Sequence, residues 1–326
     1  AKHGPYLQTR PEPGTDAALL GASQILRPGA RRILIIDDRV PLPELGRGYP
    51  RAAKIASIIG EGRDAVTYYP LQIAEARWDE VYAVLNPRTE VILDRGLAGL
   101  SAFLSQRAGQ FDLILVSRPH NMEPVVALRV AHPEWFDSAR IIYDAEALFC
   151  LRTIERAKVM GRPLSEAKAQ ALLHEELSLA READRIVAVS QDEARQYRQA
   201  GCTDVLVLGH ALPRQAAETA FDQREGFLFV GAITHDDCPN GDSVLWFVRE
   251  VWPLIRVELG DAVQLDLVGV CESAAVRALA SDSIRIHGRV ADLAPFFNQR
   301  RVFIVPTRFA AGVPHKAHEA ASRGMP

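Results

Sequence analysis

Short apolar runs alternate with amphipathic segments along most of this chain. Seven runs rich in Val, Ile and Leu predict β-strands in its first part, at residues 33–36, 65–69, 90–93, 112–116, 140–143, 185–189 and 204–208. Amphipathic segments between them predict helices, among them 51–59, 97–106 and 165–183. Strands that alternate with helices pair in parallel, because each helix carries the chain back across one face of the sheet. The pattern therefore predicts a doubly wound α/β domain over residues 31–213.

The same rhythm begins again after a polar stretch. Residues 214–224 follow Pro213 and have the composition of a linker. Four more apolar runs predict the strands of a second sheet, at residues 227–230, 263–268, 283–286 and 302–305. We therefore predict a second Rossmann-like domain over residues 225–326. Sheets of this type bind ligands beyond the carboxyl ends of their strands, so two in tandem predict a cleft between the domains.

Both ends of the chain depart from this rhythm. Residues 1–30 are rich in Pro and Gly, which predicts an arm or linker that packs on a neighbour or joins a further domain of a longer polypeptide. The chain stops at Pro326, where another strand would be expected to begin. We expect the second sheet to lack its last strands and closing helices, as in a fragment, or to complete its edge differently.

Composition narrows the class of protein. The 326 residues are 48% hydrophobic, which is enough for two buried cores. A net charge of −3 gives no reason to expect nucleic acid as a partner, because proteins that bind a phosphate backbone carry a basic excess. The four cysteines form no Cys-x-x-Cys pair, which favours a reducing, cytosolic setting over zinc or disulfides. No apolar run reaches the roughly 18 residues of a membrane span, so we expect at most peripheral contact with the inner membrane face.

The C-terminal segment carries the most specific chemistry. After the last predicted strand, Gly312 gives a flexible turn and Pro314 suits the first position of a helix. The amino end of a helix attracts anions, yet His315 and Lys316 place cations there, an arrangement that makes sense beside a bound anion. Glu319 follows about one turn later, where its carboxylate would accept two hydroxyl protons from a ribose behind a diphosphate. The pattern predicts a nucleotide-sugar site.

This segment resembles the motif of the retaining family 4 glycosyltransferases, which have the glycosyltransferase B fold. The resemblance covers residues 31–326 and is carried by Gly312, Lys316, Glu319, Ala320, Gly324 and Pro326, with support from residues 229–232, Pro239–Asn240 and 284–289. It implies transfer of a sugar from a nucleoside diphosphate sugar to a saccharide or glycolipid acceptor, as in polysaccharide assembly, with no further cofactor. The positions that it assigns to the donor are Gly231, Arg308, Gly312, Val313, Lys316 and Glu319.

One departure from the family motif concerns the donor sugar. The family carries two glutamates separated by seven residues, and Ala311 stands where the first of them would be. The second glutamate holds the ribose in the family, and the first contacts the donor sugar. The resemblance therefore assigns ribose binding to Glu319 and leaves the contact to the sugar without a residue.

A second departure concerns the grip on the diphosphate. Gly231 ends a strand, so a phosphate would approach its backbone before a helix expected from about Ser243, although an ordinary turn glycine is the alternative. Many family members carry an arginine and a lysine in this loop. The corresponding residues here are Ile233, His235 and Asn240. The hold on the diphosphate then falls to Lys316, Arg308 or backbone amides.

The first domain offers candidates at the ends of its strands. Asp37 and Asp38 end the first strand, and the loop that follows contains Gly46 and Gly48. These two glycines would approach the donor or the acceptor across the cleft, as such a loop does in the resembling family. A Gly-x-Gly pair is weak evidence, and ordinary loop flexibility explains it equally well.

Polar residues also follow the fourth and fifth strands. Asp144 and Glu146 close the fifth, where one carboxylate would orient or deprotonate an acceptor hydroxyl. The alternative is that Asp144 caps a helix and pairs with Arg152. Arg118 and His120 follow the fourth strand and would meet a charged acceptor or a donor phosphate. The predicted catalytic residues are therefore Asp144, Glu146 and His120.

No metal site is predicted. The best cluster, His235-Asp236-Asp237, consists of adjacent loop residues, which are more often solvated than coordinated, and no Asp-x-Asp motif is present. We predict metal-independent transfer. Two alternatives stay open: a non-catalytic module of the same fold that binds nucleotide sugars or saccharides, and a sugar-nucleotide epimerase. A dinucleotide-binding Rossmann domain is disfavoured, because Asp37-Asp38 stand where a glycine turn is needed.

Overall fold

The computed structural model describes residues 29–42, 48–73, 76–215 and 217–326. The predicted N-terminal arm lies outside the described residues except for Gly29 and Ala30. Contacts divide the chain into two compact units. The first holds the residues up to Glu146 together with Glu175–Leu208, and the second holds Ala147–His174 together with Gly209–Pro326. The predicted domains kept residues 147–174 with the first sheet, whereas by contacts this segment groups with the second.

Seven parallel strands form the sheet of the first unit. In chain order they are β1 (Arg32–Asp37), β2 (Ala65–Pro70), β3 (Glu90–Val91), β4 (Leu113–Ser117), β5 (Arg140–Asp144), β6 (Arg185–Ala188) and β7 (Val205–Val207). Their order across the sheet is β3-β2-β1-β4-β5-β6-β7. The central strands are buried on both faces, which is why they read as continuous apolar runs rather than alternating ones.

Helices follow most of these strands. In chain order they are α1 (Tyr49–Glu61), α2 (Trp78–Val84), α3 (Gly96–Gln106), α4 (Pro119–Ala131), α5 (Phe149–Val159), α6 (Glu166–Ala180) and α7 (Gln191–Gln199). α1 buries Ala52, Ala53 and Ala56. These small side chains allow the helix to lie close to its neighbours. α5 belongs to the second unit by its contacts, and α6 runs across the division.

The second unit has a four-stranded parallel sheet. Its strands are β8 (Phe227–Val230), β9 (Leu265–Val268), β10 (Ile284–Gly288) and β11 (Val302–Phe303), in the order β10-β9-β8-β11. The helices that follow are α8 (Pro239–Trp246), α9 (Trp252–Leu259), α10 (Ala274–Arg277), α11 (Ala294–Gln299) and α12 (His315–Ser322). A single π-helical turn, Phe247–Val251, joins α8 to α9. The predicted class, two doubly wound α/β units, is confirmed.

Each sheet has one point where the strand order reverses. In the first sheet β1 lies between β2 and β4, and in the second sheet β8 lies between β9 and β11. The connections from β1 and β4, and those from β8 and β11, therefore leave on opposite sides and open a crevice at the carboxyl ends of these strands. Ligands of doubly wound sheets bind at such switch points. Arg118 and His120 follow β4, Gly231 follows β8, and Lys316 follows β11.

The predicted starts of two helices were wrong. α8 begins at Pro239 rather than near Ser243, because proline suits the first helical position and the Cys238 thiol caps the helix by accepting from the Gly241 N–H at 3.2 Å. α12 begins at His315, since Pro314 has an extended ψ of 105° and forms the cap instead of the first turn.

The last strand is shorter than predicted. β11 was expected to reach Val305, but its strand pairing covers only Val302–Phe303. Ile304 still donates its N–H to the Leu228 carbonyl at 2.8 Å. Two residues later Pro306 has no N–H with which to continue the ladder.

Candidate functional site

Two helices begin at the switch point of the second sheet. β8 leads through a loop into α8, and β11 leads through another into α12. The first turns of both helices meet where Lys316 Nζ donates a hydrogen bond to Asn240 Oδ1 at 2.7 Å. The amino end of a helix presents unpaired N–H groups and positive potential, so this edge of the sheet suits an anion.

Gly231 makes room for the Asn240 side chain. A Cβ on residue 231 would lie 2.8 Å from Asn240 Nδ2, which is closer than real Cβ contacts. The same Nδ2 donates to the Ala232 carbonyl at 2.8 Å. The lack of a side chain at Gly231 therefore admits Asn240, and its predicted approach to a phosphate stays a prediction.

Lys316 is a half-buried cation with neutral neighbours. Its amine lies 4.4 Å from the centre of the Phe229 ring in addition to its contact with Asn240. Within the described parts of the chain, no carboxylate oxygen lies within 4.0 Å of this amine. Burial lowers the pKa of Lys316 to about 8, and the nearby Cys238 thiol opposes this only in part. A bound anion would supply the counter-charge that the protein does not.

His315, the other expected cation of α12, is held neutral at pH 7. Burial lowers the pKa of its imidazole below the ordinary value. Its ring packs edge-on against His210, with ring centres 5.1 Å apart. Of the two residues that sequence placed against the helix dipole, Lys316 is thus the one that carries charge.

Arg308 is engaged by a carboxylate on α8. Its Nε donates to Asp242 Oδ2 at 2.9 Å, and Nη2 donates to the other carboxylate oxygen. These charge-assisted hydrogen bonds raise the pKa of Arg308, and the Asp242 carboxylate offsets its positive charge. The predicted phosphate contact by Arg308 would require this pair to open.

The remaining donor candidates lie on and before α12. Glu319 is partly buried one turn after Lys316, with Oε1 3.7 Å from Nη2 of Arg323 on the same helix. Gly312 has a φ of 68°, which favours glycine, and both it and Val313 are partly exposed in the turn before the helix. α12 therefore presents Lys316 and Glu319 one turn apart, as predicted.

The switch point of the first sheet gathers acidic side chains around one arginine. Asp37 ends β1, and Arg118 follows β4. The Arg118 guanidinium contacts Asp37, lies 3.3 Å from Asp38 Oδ2 and lies 2.9 Å from Glu146 Oε2. Only 4% of the Arg118 side chain is exposed. Arg118 therefore serves these three carboxylates rather than a ligand from solvent.

The backbone is strained at two members of this cluster. Arg118 has a φ of 74° and Glu146 a φ of 53°, values that residues other than glycine rarely adopt. Such strain persists only where surrounding contacts enforce it. Glu146 reaches the amino end of α1, since a Cβ on Gly48 would lie 2.5 Å from Glu146 Oε2. Gly46 lies outside the described residues.

Burial separates the protonation states of the three carboxyls. It raises the pKa of Glu146 to about 8 and that of Asp37 to about 6, against the opposing charge of Arg118. Burial also acts on Asp38, but the hydrogen bond from His120 and the charge of Arg118 outweigh it and hold the Asp38 pKa below its usual value. At neutral pH the cluster therefore keeps Asp38 ionised and Glu146 protonated.

The three predicted catalytic residues occupy different settings. Asp144 pairs with Arg51, whose Nη1 donates to its Oδ2 at 2.7 Å, so Arg51 rather than Arg152 is its partner. Both side chains are at most 3% exposed. Glu146 is buried against Arg118. His120 is half-exposed, and its Nε2 lies 2.5 Å from Asp38 Oδ1. Of the three, His120 is therefore the residue whose side chain solvent or a ligand can reach.

Sequence reasoning missed the partners that set these roles. Asn240 was noted as part of the family resemblance and as a departure from the family loop but not as a partner of Lys316, and Arg51 and Asp242 were not singled out. Each is far from its partner along the chain, and Lys316 follows Asn240 by 76 positions. The Pro-Asn pair at the start of α8 was the one available signal.

The described parts of the chain show neither a candidate metal cluster nor a candidate membrane-spanning helix. They contain no group of three or more His, Cys, Asp or Glu side chains that could hold a metal ion. They also contain no helix that is both long and apolar enough to cross a membrane.

The fold defines a doubly wound α/β protein with candidate ligand sites at its switch points. Residues 224–326 match the model of a family described as "Glycosyl transferases group 1". The match covers β8 to α12 and thus the whole candidate site of the second unit. A sequence search of curated proteins found no match.

Solved structures also resemble the chain at low identity. Phytolacca americana UGT2, complexed with UDP-2fluoro-glucose and pterostilbene, is 10% identical with a TM-score of 0.48, over 84% of this chain and 76% of that one. A mutant O-GlcNAc transferase of Thermobaculum terrenum is 12% identical with a TM-score of 0.48, over 92% and 52%. An E. coli protein described as "Trehalose-6-phosphate", bound with UDP-2-fluoro glucose, is 9% identical with a TM-score of 0.49, over 82% and 75%.

Proposed function

We propose that this protein is a retaining, metal-independent glycosyltransferase that moves a sugar from a nucleoside diphosphate sugar to a saccharide or glycolipid acceptor. The observation that carries the proposal is Lys316, a half-buried amine without a carboxylate partner among the described residues, at the first turns of two helices. A family match over the same segment supports it. The retaining stereochemistry follows from the resemblance to family 4.

The donor binds in the second unit. Its diphosphate lies against the first turns of α8 and α12, where backbone N–H groups and the Lys316 amine offset its charge. The turn at Gly312 and Val313 admits the phosphates closely. Glu319 accepts hydrogen bonds from the ribose hydroxyls, in competition with Arg323.

The acceptor binds in the first unit. Asp38 orients the His120 imidazole, which is the exposed member of the switch-point cluster and meets the acceptor hydroxyl. Glu146 and Asp144 act through Arg118 and Arg51, whose positions they hold. We therefore assign the direct contact to His120 and a positioning role to the two carboxyls.

Catalysis comes from positioning and from stabilising the departing diphosphate. The bond between the anomeric carbon and the phosphate oxygen breaks, and a bond from the acceptor oxygen to the same carbon forms. The acceptor proton passes to the leaving phosphate oxygen. The charge that develops on the diphosphate is offset by Lys316 and by the helix ends, which are arranged before the reaction begins. Lys316 takes the place that a divalent metal has in metal-dependent transferases.

Calorimetric titration with UDP, GDP, ADP and their sugar conjugates tests the donor site. We expect selective binding by the wild type, with a loss of about tenfold or more in Lys316→Met and in Glu319→Ala. Lys168→Met is the matched control, because Lys168 is exposed in the first turn of α6. Absence of binding to every nucleotide would refute the proposal.

Product analysis with donor, acceptor panels and EDTA tests the reaction. We expect a glycosidic product with the anomeric configuration of the donor, formed at an unchanged rate in EDTA. Nucleotide binding without any product would indicate the non-catalytic module instead. Conversion of one sugar nucleotide into its epimer would indicate the epimerase.

A further inference from the structure

The Asn240 side chain connects the first turns of two helices. Asn240 is the second residue of α8, and Lys316 is the second residue of α12. The amide uses both of its ends: Nδ2 donates to the Ala232 carbonyl at 2.8 Å, and Oδ1 accepts from Lys316 Nζ at 2.7 Å. The bond to Ala232 fixes which end of the amide faces the lysine. Asn240 is thus locked as a hydrogen-bond acceptor for the amine.

The carboxylates of the same region are engaged elsewhere. They pair with side chains other than Lys316: Asp236 with Ser273, Asp237 with Arg156 and His235, and Asp242 with Arg308. Among the described residues, the lysine therefore donates its side-chain hydrogen bond to an uncharged group only. A hydrogen bond to an amide holds an ammonium group in place but leaves its charge available.

We propose that Asn240 is the positioning residue for the diphosphate, because it aims the Lys316 amine at the shared helix edge without neutralising it. The inference rests on the proposed function for the identity of the ligand. A carboxylate at position 240 would reach the same amine from the same helix turn, but it would form an ion pair and compete with the phosphate. The choice of amide over carboxylate is therefore what keeps the site receptive to an anion.

Gly231 supports the contact between Asn240 and Lys316. Asn240 Nδ2 lies where a Cβ of residue 231 would approach to 2.8 Å, so any other residue at 231 would push the amide away from Lys316. The glycine at the end of β8 acts on the diphosphate through Asn240 and Lys316. Its role then differs from the direct phosphate approach that a turn glycine suggests.

The titration of the Lys316 amine tests the arrangement in the free protein. The chain has only five lysines, so the ¹³Cε signals of labelled lysine can be assigned with Lys316→Met. In Asn240→Asp the new carboxylate should raise the pH at the midpoint of the Lys316 titration. In Asn240→Ala the loss of the acceptor should lower this midpoint. Asn298→Asp adds the same charge outside these two helix turns and should leave the midpoint unchanged.

Binding of UDP, uridine and inorganic pyrophosphate tests the consequence, with GDP or ADP and its nucleoside used where the wild type prefers them. Both Asn240 variants should weaken the nucleoside diphosphate and pyrophosphate by about tenfold and the nucleoside by less than about twofold. In a Lys316→Met background, Asn240→Ala should cause little further loss, since the amine that it positions is gone.

The outcomes separate the two proposals. Opposite shifts of the Lys316 midpoint together with a loss confined to phosphate ligands support the positioning role. Unchanged midpoints, equal losses of nucleotide and nucleoside, or a full Asn240→Ala effect without Lys316 would overturn it while leaving the proposed function intact. If the wild type binds no nucleoside diphosphate, the proposed function fails, and the midpoints together with pyrophosphate binding decide the role of Asn240.

Discussion

The carboxylate of Glu146 occupies the space where a side chain on residue 48 would begin. A Cβ on Gly48 would lie 2.5 Å from Glu146 Oε2 and 3.0 Å from Cδ. Gly48 also has a φ of 88° and caps the amino end of α1. The missing side chain thus allows an acid that follows β5 to reach the start of the first helix, beside Arg118.

Gly48→Ala should destabilise the first unit by about 2 kcal/mol or more. Part of this loss comes from the positive φ and the rest from displacement of Glu146. Gly201→Ala is the matched control, because Gly201 has a φ of 92° and open space where a Cβ would lie. Urea unfolding should show a loss about 1 kcal/mol larger for Gly48→Ala. Equal losses would contradict a steric role for Glu146.

The raised pKa of Glu146 predicts how stability depends on pH. The folded protein holds the proton up to about pH 8, whereas the unfolded chain releases it near the ordinary glutamate pKa of 4.5. The folded state therefore binds more protons between these values, so this group favours folding at low pH and loses that contribution as pH rises toward 8. The free energy of unfolding should therefore fall less steeply with pH in Glu146→Gln, by up to about 1.4 kcal/mol per pH unit.

Urea unfolding at several pH values between about 5 and about 8 measures this slope for Glu146→Gln. Glu123→Gln is the control, because Glu123 is exposed on α4. The control should keep the wild-type slope. A Glu146→Gln slope that matches the wild type would mean that Glu146 is ionised in the folded protein.

Diphosphate affinity should fall as pH rises through about 8. The free amine of Lys316 has a pKa of about 8, and a bound anion favours its charged form. Affinity should therefore be highest below this pH and should drop as the amine loses its proton. Calorimetry across this range measures the effect. Lys316→Met should remove the dependence, and its persistence in that variant would assign it to another group.

Asp242→Asn should strengthen the binding of a nucleoside diphosphate by about threefold to tenfold. The change removes a negative charge from the first turn of α8 and frees Arg308 to contact phosphate. Asp237→Asn is the control, because Asp237 pairs with Arg156 instead. Weaker binding in Asp242→Asn would show that the Arg308–Asp242 pair is needed to shape the site.

His120→Ala should lower kcat by about a hundredfold and leave the affinity for nucleotide within about twofold. The imidazole is the accessible member of its cluster and is oriented by Asp38. His120→Asn, which keeps a hydrogen-bonding side chain, should lose less. Steady-state kinetics with saturating donor measures both variants. A parallel loss of nucleotide affinity would place His120 outside the acceptor role.

The strands and their order of appearance could be predicted from the sequence, because a parallel strand buried on both faces leaves a continuous apolar run. Phe227–Val230 was predicted to the residue. Helix starts were predicted less well, since they depend on single caps such as the Cys238 thiol at α8. Lys316 and Glu319 could be placed one turn apart on a helix, because their spacing is local.

The tertiary structure decided which of these charges is available. Arg308 is paired with Asp242, Asp144 with Arg51, and Glu146 is buried beside Gly48. Each pair joins residues that lie far apart in sequence, 66 residues for the first and 93 for the second. Such contacts arise only when a doubly wound sheet brings neighbouring strand ends together. The sequence by itself therefore determined the strand pattern and the local helix motif. The packing of parallel strands decided that Arg308 is paired with a carboxylate, whereas Lys316 has no carboxylate partner among the described residues.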